Sequence, residues 1–595
     1  MQNKIKILFK AGFFLSIDYF FAVTLMEIAK EDDPIVAMTA ALISRFSRNG
    51  HLCIDMNKTA GKSVILTDFN TIPKDLLINQ KDYKKLIDIK LPLITNWENA
   101  LKKSSVVGDN TDYPIVLDQN KKIFLAKYYD FQTRTVQNIK KRVGLLKPDV
   151  SASALEYELD KIFIDKNIPC SPDQRAGYIK QKNAVKMAVK NNFLIITGGP
   201  GTGKTYITDK IAYILKKLSL SHSIDIVNTA PTGKAASKLE HGLTIHRLLG
   251  INKEKAYEHR TMQGYITADL VIIDEASMID IALMTKLMEA IPIKARVIIM
   301  GDDNQLGSIG AGSVFSDICR SDSLKNYIVN LEYNFRSGSE KGLNKLAHAV
   351  RTGDEKRVEQ IISSVKSGTY EDITFIDMKN PLEALPRLKS IIKTGYAPVL
   401  LENDINAAFE KLEDFKILCC HKKTDFGSAG LNTMTEKMAE KILHSNKIHD
   451  IKNSLIRSIL MITKNDYNKS LFNGDIGMLV KQSSEYKAVF MDQNSSLKYY
   501  NRSELKTHEV AFAITVHKSQ GSEFDHVLLI LPPELTMVMN RKLIYTAITR
   551  ARKKLTIAGT LKVLKKAVSI DSQRESGITG LLDKEISLNG PQRLS

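Results

Sequence analysis

Residues 193–205 read FLIITGGPGTGKT. An apolar run, a glycine-rich turn and a Lys-Thr pair opening an amphipathic stretch (YITDKIAYILKKL) fit G-x-x-x-x-G-K-[ST] in the strand–turn–helix context that a phosphate-binding loop requires. Glycines let backbone amides face a phosphate, and the helix N-terminus adds a favourable dipole. Gly198, Gly199, Pro200, Gly201, Thr202 and Gly203 are therefore expected to wrap the phosphates of ATP. Lys204 should meet the β- and γ-phosphates, and the Thr205 hydroxyl should ligate Mg²⁺.

Outward from this loop, short apolar segments alternate with amphipathic ones: FLIIT, SIDIVNT, ADLVIIDEA, ARVIIMGD and YIVNLEY. Such alternation predicts an α/β fold on a doubly wound parallel sheet. A second block runs from KILCC (416–420) through VAFAITVH and HVLLIL to KKLTIAG. Turns and short strands at about 458–510 (GDIGMLVKQ, YKAVFMD) interrupt it and predict a small β-rich, SH3-like insert. Residues 1 to about 110 show helical spacing and no chemical motif. We expect a mainly helical N-terminal domain at 1–115, a first motor domain at 116–350 and a second at 351–595.

A chain of 595 residues needs several cores, and its net charge of +19 favours a polyanion such as nucleic acid. A compositional excess of solvated lysines explains the same number equally well. Cys53, Cys170, Cys319, Cys419 and Cys420 form no C-x-x-C pair and no Cys/His metal spacing, and free thiols suit a reducing cytoplasm. The basic, apolar N-terminus resembles a signal peptide superficially. Asp18 interrupts its apolar run and no small-x-small site follows, so buried helices, a cytoplasmic location and no membrane partner are expected.

Further motifs supply chemistry. DLVIIDEASM (269–278) is an apolar strand ending in two acids. Beside a P-loop, Asp274 suits a Mg²⁺ ligand and Glu275 the general base that deprotonates the attacking water. In GDDNQLGSIGAG (301–312), Gln305 is placed to sense the γ-phosphate; a polar loop is the alternative. Gln181, upstream in a helix, is placed to read an adenine edge, where a solvated surface amide is the plainer reading.

APTGKAASKL (230–239), TIHRLLG (244–250), NLEYNFRS (330–337), ITKNDYNKSLFNGDIGM (462–478), TVHKSQGSEFDHV (515–527) and LIYTAITRARKKL (543–555) follow in order. With the P-loop and acidic strand they resemble superfamily 1 helicases of the RecD-like branch over about 181–555. The resemblance implies two RecA-like domains with ATP between them and single-stranded DNA across both. It also implies 5′→3′ translocation from duplex ends, in double-strand break repair, recombination and degradation of linear DNA. RecB-like and RecC-like subunits are the implied partners in a heterotrimer, with any nuclease in a partner.

Within this frame Pro231, Thr232, His246, Thr515 and His517 are expected on the DNA backbone, since hydroxyls, imidazoles and turn amides hold phosphates. Arg336 and Arg550 are expected to neutralise charge on the γ-phosphate across the cleft. Gly521 and Glu523, with Lys518 and Gln520, reach toward nucleotide and the facing domain, while Arg552 suits a surface salt bridge. Phe335, Phe472 and Phe512 lie where bases could stack, although aromatics there are more often core. Two other readings stand beside this one. Freestanding helicases of the branch carry helix-hairpin-helix repeats, whose Gly-x-Gly turns residues 1–190 lack. A regulatory P-loop ATPase would hydrolyse ATP indifferently to DNA.

Overall fold

The computed structural model describes residues 2–66, 86–145, 150–163, 171–218, 224–251, 266–336, 341–445, 456–466, 468–482, 485–492, 496–505 and 507–587. Cys170, and Ser337 and Tyr467 of the quoted motifs, lie outside them. The helices Pro34–Arg48 and Ile94–Lys103 of the N-terminal region close on Trp97, fully buried, whose indole N–H donates to Thr39 Oγ1 at 2.8 Å. Helical spacing did not anticipate a small sheet here, β1 (Cys53–Asp55), β2 (Val107–Gly108), β3 (Ile115–Leu117) and β4 (Lys122–Leu125), ordered β1-β4-β3-β2. Strands this short give a period-two pattern no room to show.

The first parallel sheet holds β5 (Phe193–Gly198), β6 (Ile226–Ala230), β7 (Leu243–Thr244), β8 (Leu270–Ile273), β9 (Arg296–Gly301) and β10 (Ile328–Leu331), ordered β10-β5-β9-β8-β6-β7. Alternate residues feed opposite cores. Phe193, Ile195, Val271, Ile273, Val297 and Ile299 face one side, and Leu194, Ile196, Leu270, Ile272, Ile298 and Met300 the other. Burial on both faces is why these strands read as unbroken apolar runs. Because β5 sits between β9 and β10, the turn after it opens at a switch point over the carboxyl ends of the strands, where such sheets bind ligands.

A second parallel sheet follows. It begins with β11 (Ile373–Asp377) and β12 (Phe415–Cys419). The chain then makes the antiparallel insert β13 (Ile456–Ile462), β14 (Ile476–Gln482), β15 (Glu485–Met491), β16 (Leu497–Asn501) and β17 (His508–Val510), ordered β16-β15-β14-β13-β17. It returns as β18 (Ala513–Thr515), β19 (Phe524–Ile530) and β20 (Ala551–Gly559), giving the order β11-β20-β19-β12-β18. The last helix, Ile578–Ser587, leaves this lobe and packs Ile578 and Leu582 into the core of the first. Among the described residues no helix is long and apolar enough to cross a membrane.

Lys416, within β12, has no exposed surface. Its ammonium donates to Ala511 O at 3.1 Å and lies 5.7 Å from the Phe524 ring centroid. Burial, followed by the charge of Lys234, lowers its pKa to about 7. A lysine depressed in the folded state costs stability most below that value, and the cost fades as pH rises toward the ordinary 10.5. Lys416→Met is therefore expected to raise the melting temperature at about pH 6.5 and to leave it nearly unchanged above about pH 10. Thermal melts check this; a gain of equal size at both pH values contradicts it.

Candidate functional site

At the end of β5 the loop is shaped by close approaches. Gly201 and Gly203 have φ of +78° and +89°, and a Cβ on Gly203 would lie 2.2 Å from Gln181 Nε2. A Cβ on Gly198 would lie 2.8 Å from Leu331 O. Only glycine meets both the dihedral and the space. Lys204 Nζ donates to Gly198 O at 2.6 Å and Gly199 O at 3.0 Å, which holds the ammonium over the loop. Thr202 Oγ1 donates to Gly199 O at 2.8 Å, Pro200 lines the adjoining cavity, and Thr205 stands exposed in the first turn of the helix Lys204–Leu218. This cradle fits a triphosphate: glycine amides, a helix N-terminus and one ammonium converge on it.

Gln181, expected at an adenine edge, is buried and donates its amide to Thr202 O at 2.9 Å, so here it buttresses the loop. Phe335, considered for DNA, also belongs to this side. Its ring centroid lies 4.8 Å from those of Tyr178 and Tyr333, and its N–H donates to Gly201 O at 2.9 Å.

The acids lie at neighbouring strand ends. Asp274 follows β8, and its pKa is raised by burial first and by the Glu275 charge second, with Lys204 opposing. Glu275 adopts φ +52°, a left-handed conformation that a side chain with Cβ occupies at a cost of about 1–2 kcal/mol. Such strain concentrates at functional positions. Gln305 is buried beyond β9 and donates to Asp302 Oδ2 at 2.9 Å.

A cavity of about 350 Å³ separates the P-loop from the second lobe, walled by Gly199, Pro200, Asn334, Arg336, Arg351 and Tyr545. The two lobes are stitched along its edge. Arg336 Nη1 pairs with Glu523 Oε2 at 2.6 Å; burial alone would raise the Glu523 pKa, but Arg336 brings it below the usual value. Tyr545 donates its hydroxyl to Asp302 Oδ2 at 3.2 Å, so Gln305 and a second-lobe tyrosine share one carboxylate. Gln520 Nε2 donates to Leu306 O at 2.9 Å, and Leu306 N–H donates to Thr546 Oγ1 at 2.9 Å. Lys238 Nζ donates to the carbonyl of Gly521, itself at φ +73°, at 2.9 Å. Arg550 lies just behind this seam, buried. Nε donates to Thr546 O at 3.2 Å, Nη1 donates to Ser522 O at 3.1 Å, and Nη2 has no partner.

The residues expected on DNA sit at carboxyl ends of both sheets. Pro231 and Thr232 follow β6; Thr232 Oγ1 accepts from Ala235 N–H at 3.2 Å and lies 3.6 Å from where a Cβ on Gly521 would stand. Phe472 of the insert comes within 3.3 Å of a Cβ built on Gly233, beside that same turn. His246 is exposed in the short helix Ile245–Leu248. Thr515 ends β18, and His517 follows it half-buried, its pKa lowered by burial and by the nearby Arg574 charge.

Phe512 follows the core alternative, and Lys518 departs from its expected direction. Phe512 has no exposed surface and packs on Tyr396, so it is core. Lys518 pairs with Glu509 Oε1 at 2.6 Å within its own lobe and not across the cleft. The single 3-10 turn Val516–Ser519 sends Lys518 back toward the insert while Gln520 reaches the facing lobe. Arg552 pairs with Asp525 at 2.7 Å and Glu413 at 3.3 Å, the salt-bridge role expected of it. Sequence reasoning passed over Tyr545, Lys238 and Asp302; a lone tyrosine in the apolar LIYTAIT was the one available signal.

Family models match three stretches: "RecBCD enzyme subunit RecD, N-terminal domain" at residues 10–121, an AAA domain at 181–311, and a UvrD-like helicase C-terminal domain at 510–558. The chain is 26% identical over 655 residues to RecBCD enzyme subunit RecD of Haemophilus influenzae, covering 95% of this chain and 97% of that one. It is 26% identical over 591 residues to the subunit of the same name from Mycolicibacterium smegmatis, covering 94% and 96%. The ATP-dependent RecD2 DNA helicase of Deinococcus radiodurans matches at 27% over 410 residues, 68% of this chain and 52% of that protein. These matches fall on the two-lobed P-loop architecture, and along nearly its whole length the chain is similar to RecD-type superfamily 1 helicase subunits.

Proposed function

We propose that the chain is an ATP-driven motor that translocates 5′→3′ along single-stranded DNA as the RecD-type subunit of a RecBCD-like helicase–nuclease. It works in the cytoplasm on duplex ends, bound to RecB-like and RecC-like partners that carry the nuclease. The observation that carries this reading is the seam between the lobes: Gln305 and Tyr545 meet on one carboxylate, and Gln520 from the loop bearing His517 bonds to Leu306, next to Gln305. Residues proposed for ATP and residues proposed for DNA are thereby mechanically continuous.

In this reading Lys204 and the glycine loop hold the phosphates, Thr205 and Asp274 hold Mg²⁺, and Glu275 takes the proton of the attacking water. Mg²⁺, when bound, would neutralise charge on the phosphates. Arg550 from the second lobe and Arg336 from the first act on the same phosphates, so hydrolysis needs the lobes together. Pro231, Thr232, His246, Thr515 and His517 line the strand's path across both sheets. The N-terminal domain, proposed at 1–115, supplies a docking face: on the helix Ser16–Ala29, Ile17, Phe20 and Ile28 are 65%, 58% and 74% exposed. The match along nearly all of the RecBCD subunits, against about half of the RecD2 helicase, favours a subunit over a freestanding helicase.

Co-expression with RecB-like and RecC-like subunits is expected to give a heterotrimer. Within it, with the RecB-like motor inactivated, the complex should unwind substrates carrying a 5′ single-stranded tail. Unwinding from 3′ tails alone, or elution of this chain by itself, contradicts the proposal.

A further inference from the structure

The segment after the second lobe has no part in the chemistry above, yet three units meet on it. Leu52 N–H donates to Glu575 O at 2.8 Å, Glu575 N–H donates to His51 Nδ1 at 3.0 Å, and Lys122 Nζ, on β4, donates to Ser576 O at 2.7 Å, which weaves the segment into the N-terminal helices and their small sheet. The helix that follows is fastened to the first lobe: Thr579 Oγ1 donates to Asp317 O at 2.9 Å, and Ser321 Oγ donates to Asp583 Oδ1 at 2.6 Å.

Between these anchors Arg574 turns inward. Its Nη1 donates to Gly310 O at 2.8 Å and Gly312 O at 3.1 Å, and reaches Ser308 Oγ at 3.4 Å. All three acceptors are neutral and belong to one loop, 307–312. That loop begins beside Gln305 and Leu306, the seam residues, and Ile309 at its tip is 90% exposed. On the N-terminal side Gly50 makes room for the guanidinium. Its φ is +93°, a Cβ there would lie 2.6 Å from Arg574 Cζ, and its carbonyl accepts from Gly312 N–H at 2.9 Å. On the second-lobe side Gln520, three residues after His517, donates to Leu306 O at 2.9 Å, immediately before that loop. One guanidinium thus stands where the N-terminal domain, the seam loop and the proposed DNA loop converge.

We infer that Arg574 is a positioning residue, which sets loop 307–312 against the His517 side of the second lobe and so carries the binding of DNA to Gln305. This rests on the motor reading. An arginine suits the task because its planar, pre-organised guanidinium holds Nη1 against these acceptors, which a lysine ammonium on a flexible stem does less well.

The test uses the purified complex, with steady-state ATPase titrated by oligothymidine and ATP affinity read with a fluorescent analogue. Arg574→Ala is expected to raise the half-saturating oligothymidine concentration about tenfold, the size of one lost charge-assisted hydrogen bond, with ATP affinity unchanged. Arg574→Lys should recover only part of that loss. Gly50→Ala, approaching from the other side, should shift the same constant in the same direction, and the double variant should fall clearly short of the two single effects added, because both act through one contact. An Arg574→Ala variant with the wild-type oligothymidine constant overturns the inference. So does one in which melting temperature, ATP affinity and turnover fall together while that constant stays fixed, the mark of a brace. Wild-type complex whose ATPase ignores oligothymidine overturns the motor reading itself, an outcome distinct from a stimulated wild type with an unaffected variant.

Discussion

Arg550→Ala is expected to lower DNA-stimulated ATP turnover about 10³-fold or more, with nucleotide affinity changed only a few-fold. An arginine presented across a domain cleft to a transferring phosphoryl group is worth about 10³–10⁵ in rate, because it neutralises charge that develops only in the transition state. The local geometry makes Arg550 the candidate. Two donors are fixed by Thr546 O and Ser522 O, and Nη2 is buried without a partner. A buried, unsatisfied guanidinium nitrogen costs on the order of 1–3 kcal/mol, which an arriving anion would offset. Lysine should not rescue the activity, since one ammonium cannot hold both carbonyls and still reach a phosphate. Single-turnover and steady-state kinetics together separate the chemical step from binding. Turnover within tenfold of wild type would remove Arg550 from the transition state and leave Arg336 to act alone.

The second large effect is expected at Glu275. Glu275→Gln should reduce turnover about 10²–10⁴-fold, the usual contribution of a positioned general base, while ATP and DNA binding persist. The backbone supplies a control. Because φ at Glu275 is +52°, the glutamine variant keeps the same strain and should melt with the wild type. Glu275→Asn places a residue that tolerates the left-handed region and should melt slightly higher while remaining inactive. Inactivity with gained stability separates loss of chemistry from loss of fold. A glutamine variant that hydrolyses ATP normally would assign the proton to another group.

Both parallel sheets were legible because β5, β8, β9, β19 and the later half of β20, from Leu555, are buried on both faces and read as apolar runs between turn signals. The P-loop was legible because its glycines answer a local demand, a positive φ and a close backbone approach, that no other residue meets. β11 was not legible. It lies in an irregular stretch and gains its place only by pairing with β20, nearly two hundred residues later. The same holds for side-chain direction. Nothing in KSQG says that Lys518 turns to the insert and Gln520 to the facing lobe, since a 3-10 turn decides that. Nor does composition reveal that Tyr545 reaches Asp302, or that an arginine after the last strand of the second sheet returns to the seam of the first. These contacts span 243 or more positions in the chain and are set by how the lobes dock.

ATP hydrolysis is expected to be coupled to DNA across the seam between the lobes. ATPase of the purified chain in its complex, with the RecB-like motor inactivated, should rise at least about tenfold on saturation with single-stranded DNA. The rise should vanish in Gln520→Ala, which breaks the bond to Leu306 O while leaving the P-loop untouched. Hydrolysis at the same rate with and without DNA would mean that the seam does not couple the two sites.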